Sequence, residues 1–177
     1  MSYEYFASTL PSFAFGAPPP MAPEALLAAA EGNLGAADLA ALGALLSDGP
    51  SDHPFVTAWR DRETQLRNAV ARARAARLGE ADASRWLRPH GGWSAAVEAG
   101  VAAAFQEPDP LRRHRALARL RWDQTLELAG LDPFSAAAVL AYAVRLRIAA
   151  DLAKADEEQG LARLKKTANS EQRTANS

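Results

Sequence analysis

The sequence predicts an all-α protein: a single helical bundle with a short irregular N-terminal segment and a long C-terminal helix. Three observations carry this expectation. From Phe55 to Gly79 the apolar residues Phe55, Trp59, Leu66, Val70 and Ala73 recur at three- and four-residue steps, which sets them on one helix face and the arginines largely on the other. Start and stop signals punctuate the chain, with Asp52 and Pro54, Ser94, Asp109-Pro110 and Asp132-Pro133 ahead of helical runs and Gly32, Gly79 and Gly130 behind them. No two runs pair convincingly as strands.

Taken in order, Tyr3–Leu10 is rich in strand-favouring residues but has no partner strand, so an extended piece or one short helical turn is expected. The connector 11–20 is irregular and stiffened by Pro18, Pro19 and Pro20. Phe13 and Phe15 within it point the same way and are expected to plug a gap between helices, with a docking motif as the alternative. Pro23 suits a first helical position and opens a two-turn helix closed near Gly32. Ala36–Leu46 follows, with Leu39, Leu42, Leu45 and Leu46 as its stripe and Asp48-Gly49-Pro50 as the stop.

The Phe55 helix should run for about seven turns. A short helix is expected within Glu80–Leu87, and Pro89-His90-Gly91-Gly92 is the clearest break in the chain. Ser94 caps an alanine-rich helix that permits close approach of a neighbour. Pro110–Ala129 is the next helix, and the longest runs from Pro133 to Lys166, packed against the Phe55 helix. Between Phe134 and Val144 that last helix is apolar on nearly all sides, which predicts burial against several neighbours. Residues 1–166 therefore form one domain, and 167–177, in which TANS occurs twice, read as a disordered tail.

Composition excludes several function classes. A chain of 177 residues suffices for one domain without a metal or disulfide to hold it. The absence of cysteine excludes a disulfide framework, a thiolate metal site and a cysteine nucleophile, and fits a reducing compartment. No signal peptide is expected, and the uncharged stretch 5–23 contains too many prolines to span a membrane, so a soluble, cytoplasmic protein is expected. The net charge of −1 conceals a segregation. Residues 1–54 carry six acidic and no basic residues, 55–122 carry 13 arginines against 7 acidic residues, and the remainder is nearly balanced. Either the acidic part packs on the basic middle, or each meets a partner.

No catalytic, cofactor or metal constellation emerges. His53, His90 and His114 have no second ligand three or four residues away. Gly92-Trp93-Ser94 invites comparison with a nucleophile elbow, but Ala96 stands where that turn needs glycine. Asp123 and Glu127 are one helical turn apart, the spacing of an ordinary solvated pair. The chain is expected not to be an enzyme.

Four stretches together, YEYFASTLPSFAFGAPPPM, WRDRETQLRNAVARARAARLG, EPDPLRRHRALARLRWDQTLEL and DPFSAAAVLAYAVRLRIAADLAKADEEQG, resemble a bacterial family of unknown function encoded beside V/A-type ATPase subunits. That family is distantly similar to the C-type subunit of rotary ATPases, known as the d-type subunit in eukaryotes, an all-helical funnel seated on the membrane rotor ring. The present chain is too short for a full three-part funnel. The resemblance implies a non-catalytic subunit, or an assembly or accessory factor, that contacts V/A-type ATPase subunits in the cytoplasm at the inner face of the membrane. Arg60, Arg67 and Arg74, advancing in sevens along the central helix, form a polar row that would serve as the partner interface. The acidic N-terminal third of the same chain is the competing occupant of that row. An arginine-rich nucleic-acid-binding module, suggested by the same row and by Arg112, Arg113 and Arg115, or an unrelated helical scaffold, are the alternative functions.

Overall fold

A computed structural model describes the backbone of residues 3–80 and 82–175, and side chains as far as Ala155. The chain is all-α, with helices α1 (Glu4–Thr9), α2 (Pro23–Ala30), α3 (Ala36–Ser47), α4 (Pro54–Arg77), α5 (Ala95–Ala104), α6 (Pro110–Ala129) and α7 (Ala136–Ala175), and a 3-10 turn at Ser84–Trp86. The expected disordered tail, 167–177, falls outside the residues whose side chains are described.

The helix starts follow from local hydrogen bonding, not always at the expected residue. Asp109 accepts from the Leu111 amide at 2.8 Å and Ser94 from the Val97 amide at 3.4 Å, as their cap positions require. At α4 the cap is His53 instead of Asp52: its Nδ1 accepts from the Phe55 amide at 3.2 Å, and Pro54 takes the first helical position. At α7 the start moves three residues on from Pro133. Asp132 closes a turn by accepting from the Phe134 amide at 2.9 Å, and the Ser135 hydroxyl, accepting from Ala138 at 3.1 Å, caps the helix proper. Among the stops with positive φ, Gly79 (φ 73°) enters that region freely and Asp48 (φ 57°) enters it as one of the few other residue types that tolerate it.

Two apolar clusters form the interior. In the larger, Val139, Leu140, Ala141, Ala143, Val144 and Leu146 of α7 are buried on every side, facing α6, α3 and α2. The N-terminal segment covers what remains: Phe13 stands edge-on to Trp122 at 5.3 Å and to Tyr142 at 5.2 Å, and Phe15 edge-on to Trp122 at 5.7 Å. The Tyr142 hydroxyl donates to Pro11 O at 2.9 Å, which ties the connector down beside those rings. Both phenylalanines thus plug the gap between helices.

The smaller cluster joins Leu66 and Ala69 of α4 to Val97, Val101 and Phe105 of the α5 region, with Leu117 and Leu120 of α6 against them. A Cβ on Gly100 would come within 2.6 Å of Leu120 Cδ1, so a glycine is what lets α5 lie this close to α6. The principal partners of α4 are therefore α5 and α6, and those of α7 are α6 and α3, which corrects the expected pairing of α7 with α4. Only the start of α4, through Phe55 and Val56, enters the larger cluster; Trp59 is half-buried at its edge, whereas Trp122, Leu66, Leu140 and Tyr142 are buried.

Leu140→Ala should cost about 2 to 5 kcal/mol in a urea melt, because α7 is enclosed on all sides and cannot collapse onto the space left. A change within about 0.5 kcal/mol would contradict this packing.

Candidate functional site

Three regions gather chemistry-bearing side chains, and α4 contributes to all of them. The first is a groove of 710 Å³ bounded by the end of α3, α4, α6 and α7, with Ala118, Val144, Ile148 and Leu152 as its apolar wall. Arginines line it, but carboxylates of the same chain hold most of them. Arg121 grips Glu63 with Nε and Nη2 at 2.9 to 3.0 Å, and Arg67 lies 3.5 Å from the same carboxylate. Arg147 holds Asp48 bidentately at 2.9 and 3.0 Å and also donates to Leu45 O at the end of α3. The Arg147 hydrogen bonds hold the Asp48 carboxyl below its ordinary 3.8. Arg67, Arg121 and Arg147 are thus matched to carboxylates within the chain, while His114 and Asp151 also line the groove.

The row Arg60, Arg67, Arg74 proves to be three different situations. Arg60 turns back to the α3–α4 connection and donates to Gly49 O and, at 3.5 Å, to Ser51 O. Arg67 is exposed beside Glu63 of its own helix, and Arg74 is exposed further along. From the acidic N-terminal third, backbone carbonyls bond the row at Arg60, while Asp48, held by Arg147, acts on Arg60 and Arg67 through its charge. Middle arginines pair mainly with middle acids: Arg72 with Glu98 at 2.7 Å, Arg85 with Glu80 at 3.2 Å, and Arg121 with Glu63.

The second region is the loop before α5, and its anchors escaped the sequence reading. Asp61, Gln65 and Asn68 stand on one side of α4, and each captures backbone of residues 88–94. Asn68 donates to Arg88 O at 2.7 Å and accepts from Arg88 N at 2.9 Å. Gln65 makes the same two-way contact with Ser94, both bonds at 2.9 Å, and Asp61 accepts from Gly91 N at 2.9 Å. A primary amide offers a donor and an acceptor side by side, so it can satisfy both backbone groups of one residue as a neighbouring strand would. Gln65 and Asn68 are only 1% and 4% exposed, and a Cβ at Gly91 would meet Asp61 Oδ2 at 2.7 Å. The loop that this clamp fixes carries Trp93, 66% exposed, and follows Trp86, 41% exposed with the Arg85 guanidinium 4.0 Å above its ring. Two amides among the apolar positions around Leu66 were the signal available in the sequence.

The third region joins α3 to the start of α4. His53 Nε2 lies 3.0 Å from Asp38 Oδ1, and the other Asp38 oxygen accepts from the Tyr3 hydroxyl, to which Gly35 N in turn donates at 3.0 Å. Because His53 Nδ1 already accepts from the Phe55 amide, both ring nitrogens are engaged in holding three segments together. His90 and His114 do not join it. Among the described residues no group of three or more His, Asp or Glu side chains comes together to hold a metal ion, and no helix is long and apolar enough to cross a membrane.

These sites define a helical protein with ion-paired arginines along one groove and a loop anchored by side chains of α4. No family model, curated protein or solved structure matches the chain.

Gln65→Leu should leave the Ser94 N–H and C=O without partners and destabilise the protein by about 2 to 4 kcal/mol in chemical denaturation, the cost of two orphaned backbone groups. Among the row arginines, Arg60→Gln should lower the melting temperature while Arg74→Gln leaves it unchanged, a contrast that differential scanning calorimetry reads directly. Since the folded Asp48 value is depressed, the Asp48–Arg147 contribution is present above about pH 3.8 and is lost as pH falls through the lower folded value. Asp48→Asn should accordingly flatten the acid limb of a stability-versus-pH curve.

Proposed function

We propose that this protein is a non-catalytic subunit, or an assembly or accessory factor, of a bacterial V/A-type ATPase and acts through protein contacts. Its resemblance, stretch by stretch and in order, to the family encoded beside those subunits supplies the ATPase. The observation that supports action by contact is the clamped loop: a segment fixed by three side chains of α4 displays Trp93 outward, with the exposed Trp86 just ahead of it. Tryptophan is enriched at interface hot spots, and holding it in place beforehand removes an ordering cost from binding. The groove arginines Arg67, Arg121 and Arg147, matched to carboxylates at 2.9 to 3.5 Å, are better suited to setting the shape of the surface than to acid–base work. The same pairing weakens the nucleic-acid alternative, because an arginine held by a carboxylate is a poor phosphate contact. In this reading Arg74, exposed beyond the groove, is the row residue most accessible to a partner.

Co-expression with rotary ATPase A, B and D subunits tests the reading. The tagged protein should retain at least one of them at moderate salt, and Trp86→Ser with Trp93→Ser should abolish retention while stability shifts by no more than about 0.5 kcal/mol, as expected for exposed positions. Failure of the unaltered protein to retain any of them would reject the ATPase assignment. Full retention by the double variant would reject the loop as the contact.

A further inference from the structure

Arg145 behaves unlike the arginines around it. It lies on α7 in a pocket of 370 Å³ between the N-terminal connector and the α6–α7 turn, where Leu10, Phe13, Ala129, Val139 and Tyr142 form apolar walls. Its one hydrogen bond is from Nε to Ala141 O at 3.5 Å, the limit of such a contact, and its guanidinium stands 5.6 Å above the Trp122 ring. Among the described residues no carboxylate forms an ion pair with it. Asp132 lines the same pocket but accepts from the Phe134 amide instead. Burial pushes the Arg145 pKa down, the mark of a charge removed from water without a counter-ion. Arg147, two residues on, is by contrast locked onto Asp48.

The rim of this pocket is apolar and uncovered. Leu131 is 103% exposed and Leu126 47% exposed, and both line the opening. A half-buried guanidinium with its Nη groups uncommitted calls for an anion with two adjacent oxygens, and a carboxylate matches that fork. Leucines extending beyond the pocket offer more contact than a small free acid or an inorganic ion would use.

We propose that this pocket docks a partner protein through an acidic side chain or chain-end carboxylate flanked by apolar residues, the carboxylate meeting Arg145 and its neighbours covering Leu126 and Leu131. The proposal rests on the reading that the chain works by protein contact. It involves no particular ATPase component, so its failure and that of the ATPase assignment are separately visible.

The test is a titration of the isotope-labelled full chain with the peptide acetyl-Leu-Glu-Leu-amide, its glutamine counterpart and hexanoate, followed by amide chemical shifts. The glutamate peptide should move the amides of Leu10, Leu131 and Arg145 and bind about tenfold or more tightly than the glutamine peptide, the scale of a charge-assisted hydrogen bond. Arg145→Gln should erase that preference, and Arg145→Lys should retain part of it. Leu131→Ser, altering an exposed residue outside the core, should weaken the peptide even if Arg145→Gln fails to fold. Equal binding of the two peptides, a preference that survives Arg145→Gln, or no response at millimolar peptide would overturn the proposal. Hexanoate binding as tightly as the glutamate peptide would overturn the protein partner in favour of a free carboxylic acid.

Discussion

The burial of the first half of α7 is the constraint on which the rest of the architecture depends. A helix apolar on every side must be surrounded, and α6, α3 and α2 supply most of that cover. The remaining strip is closed by Phe13 and Phe15, delivered by a connector whose prolines prevent it from coiling into another helix. Tyr3 fastens the beginning of this segment twice, through its amide to Phe134 O at 2.7 Å and through its hydroxyl to Asp38. The irregular N-terminal part is thus a structural lid over α7, and Tyr142, Trp122 and the two phenylalanines form its underside.

The α4 helix solves a different problem. Its start belongs to the larger cluster and its second half to the smaller one, so it spans the two while leaving a side that neither covers. That side is occupied by polar side chains bonded to the 88–94 backbone. Burying Gln65 and Asn68 would be costly if their amides were unpaired, and the loop residues would be equally costly if left without partners. Each requirement satisfies the other, and the result is a loop without secondary structure that is nevertheless fixed. Such a loop is a favourable place for exposed Trp93, since a rigid aromatic loses little freedom when a partner covers it.

Most arginines here are structural in the same sense. Bidentate pairs tie α6 to α4 through Arg121 and Glu63, and α7 to the end of α3 through Arg147 and Asp48. The guanidinium group suits this task because its planar fork matches a carboxylate and its charge persists at any ordinary pH. Arg145 sits on the same helix without such a match, and Trp122 offers its ring face alone.

The sequence by itself determined the helical class and most helix boundaries, because period, caps and stops are local: α6 runs over Pro110–Ala129 as its flanking Asp109 and Gly130 require, and the all-round apolar stretch of α7 could only be interior. Local chemistry also misled where two signals competed, as at Asp132-Pro133, where a turn formed in place of a cap and Ser135 took over. What the tertiary structure alone decided is which helices touch and what each polar residue meets. The close approach of α5 to α6 rests on Gly100, and the pairing of α4 with α5 on amides whose partners lie 20 and 29 residues away. The heptad row of arginines, uniform in sequence, divides into a loop anchor at Arg60, a surface pair at Arg67 and an exposed charge at Arg74. Helical spacing depends on nearest neighbours along the chain and can be read from them, whereas the partner of a long polar side chain depends on which segment the fold brings within about 3 Å of it.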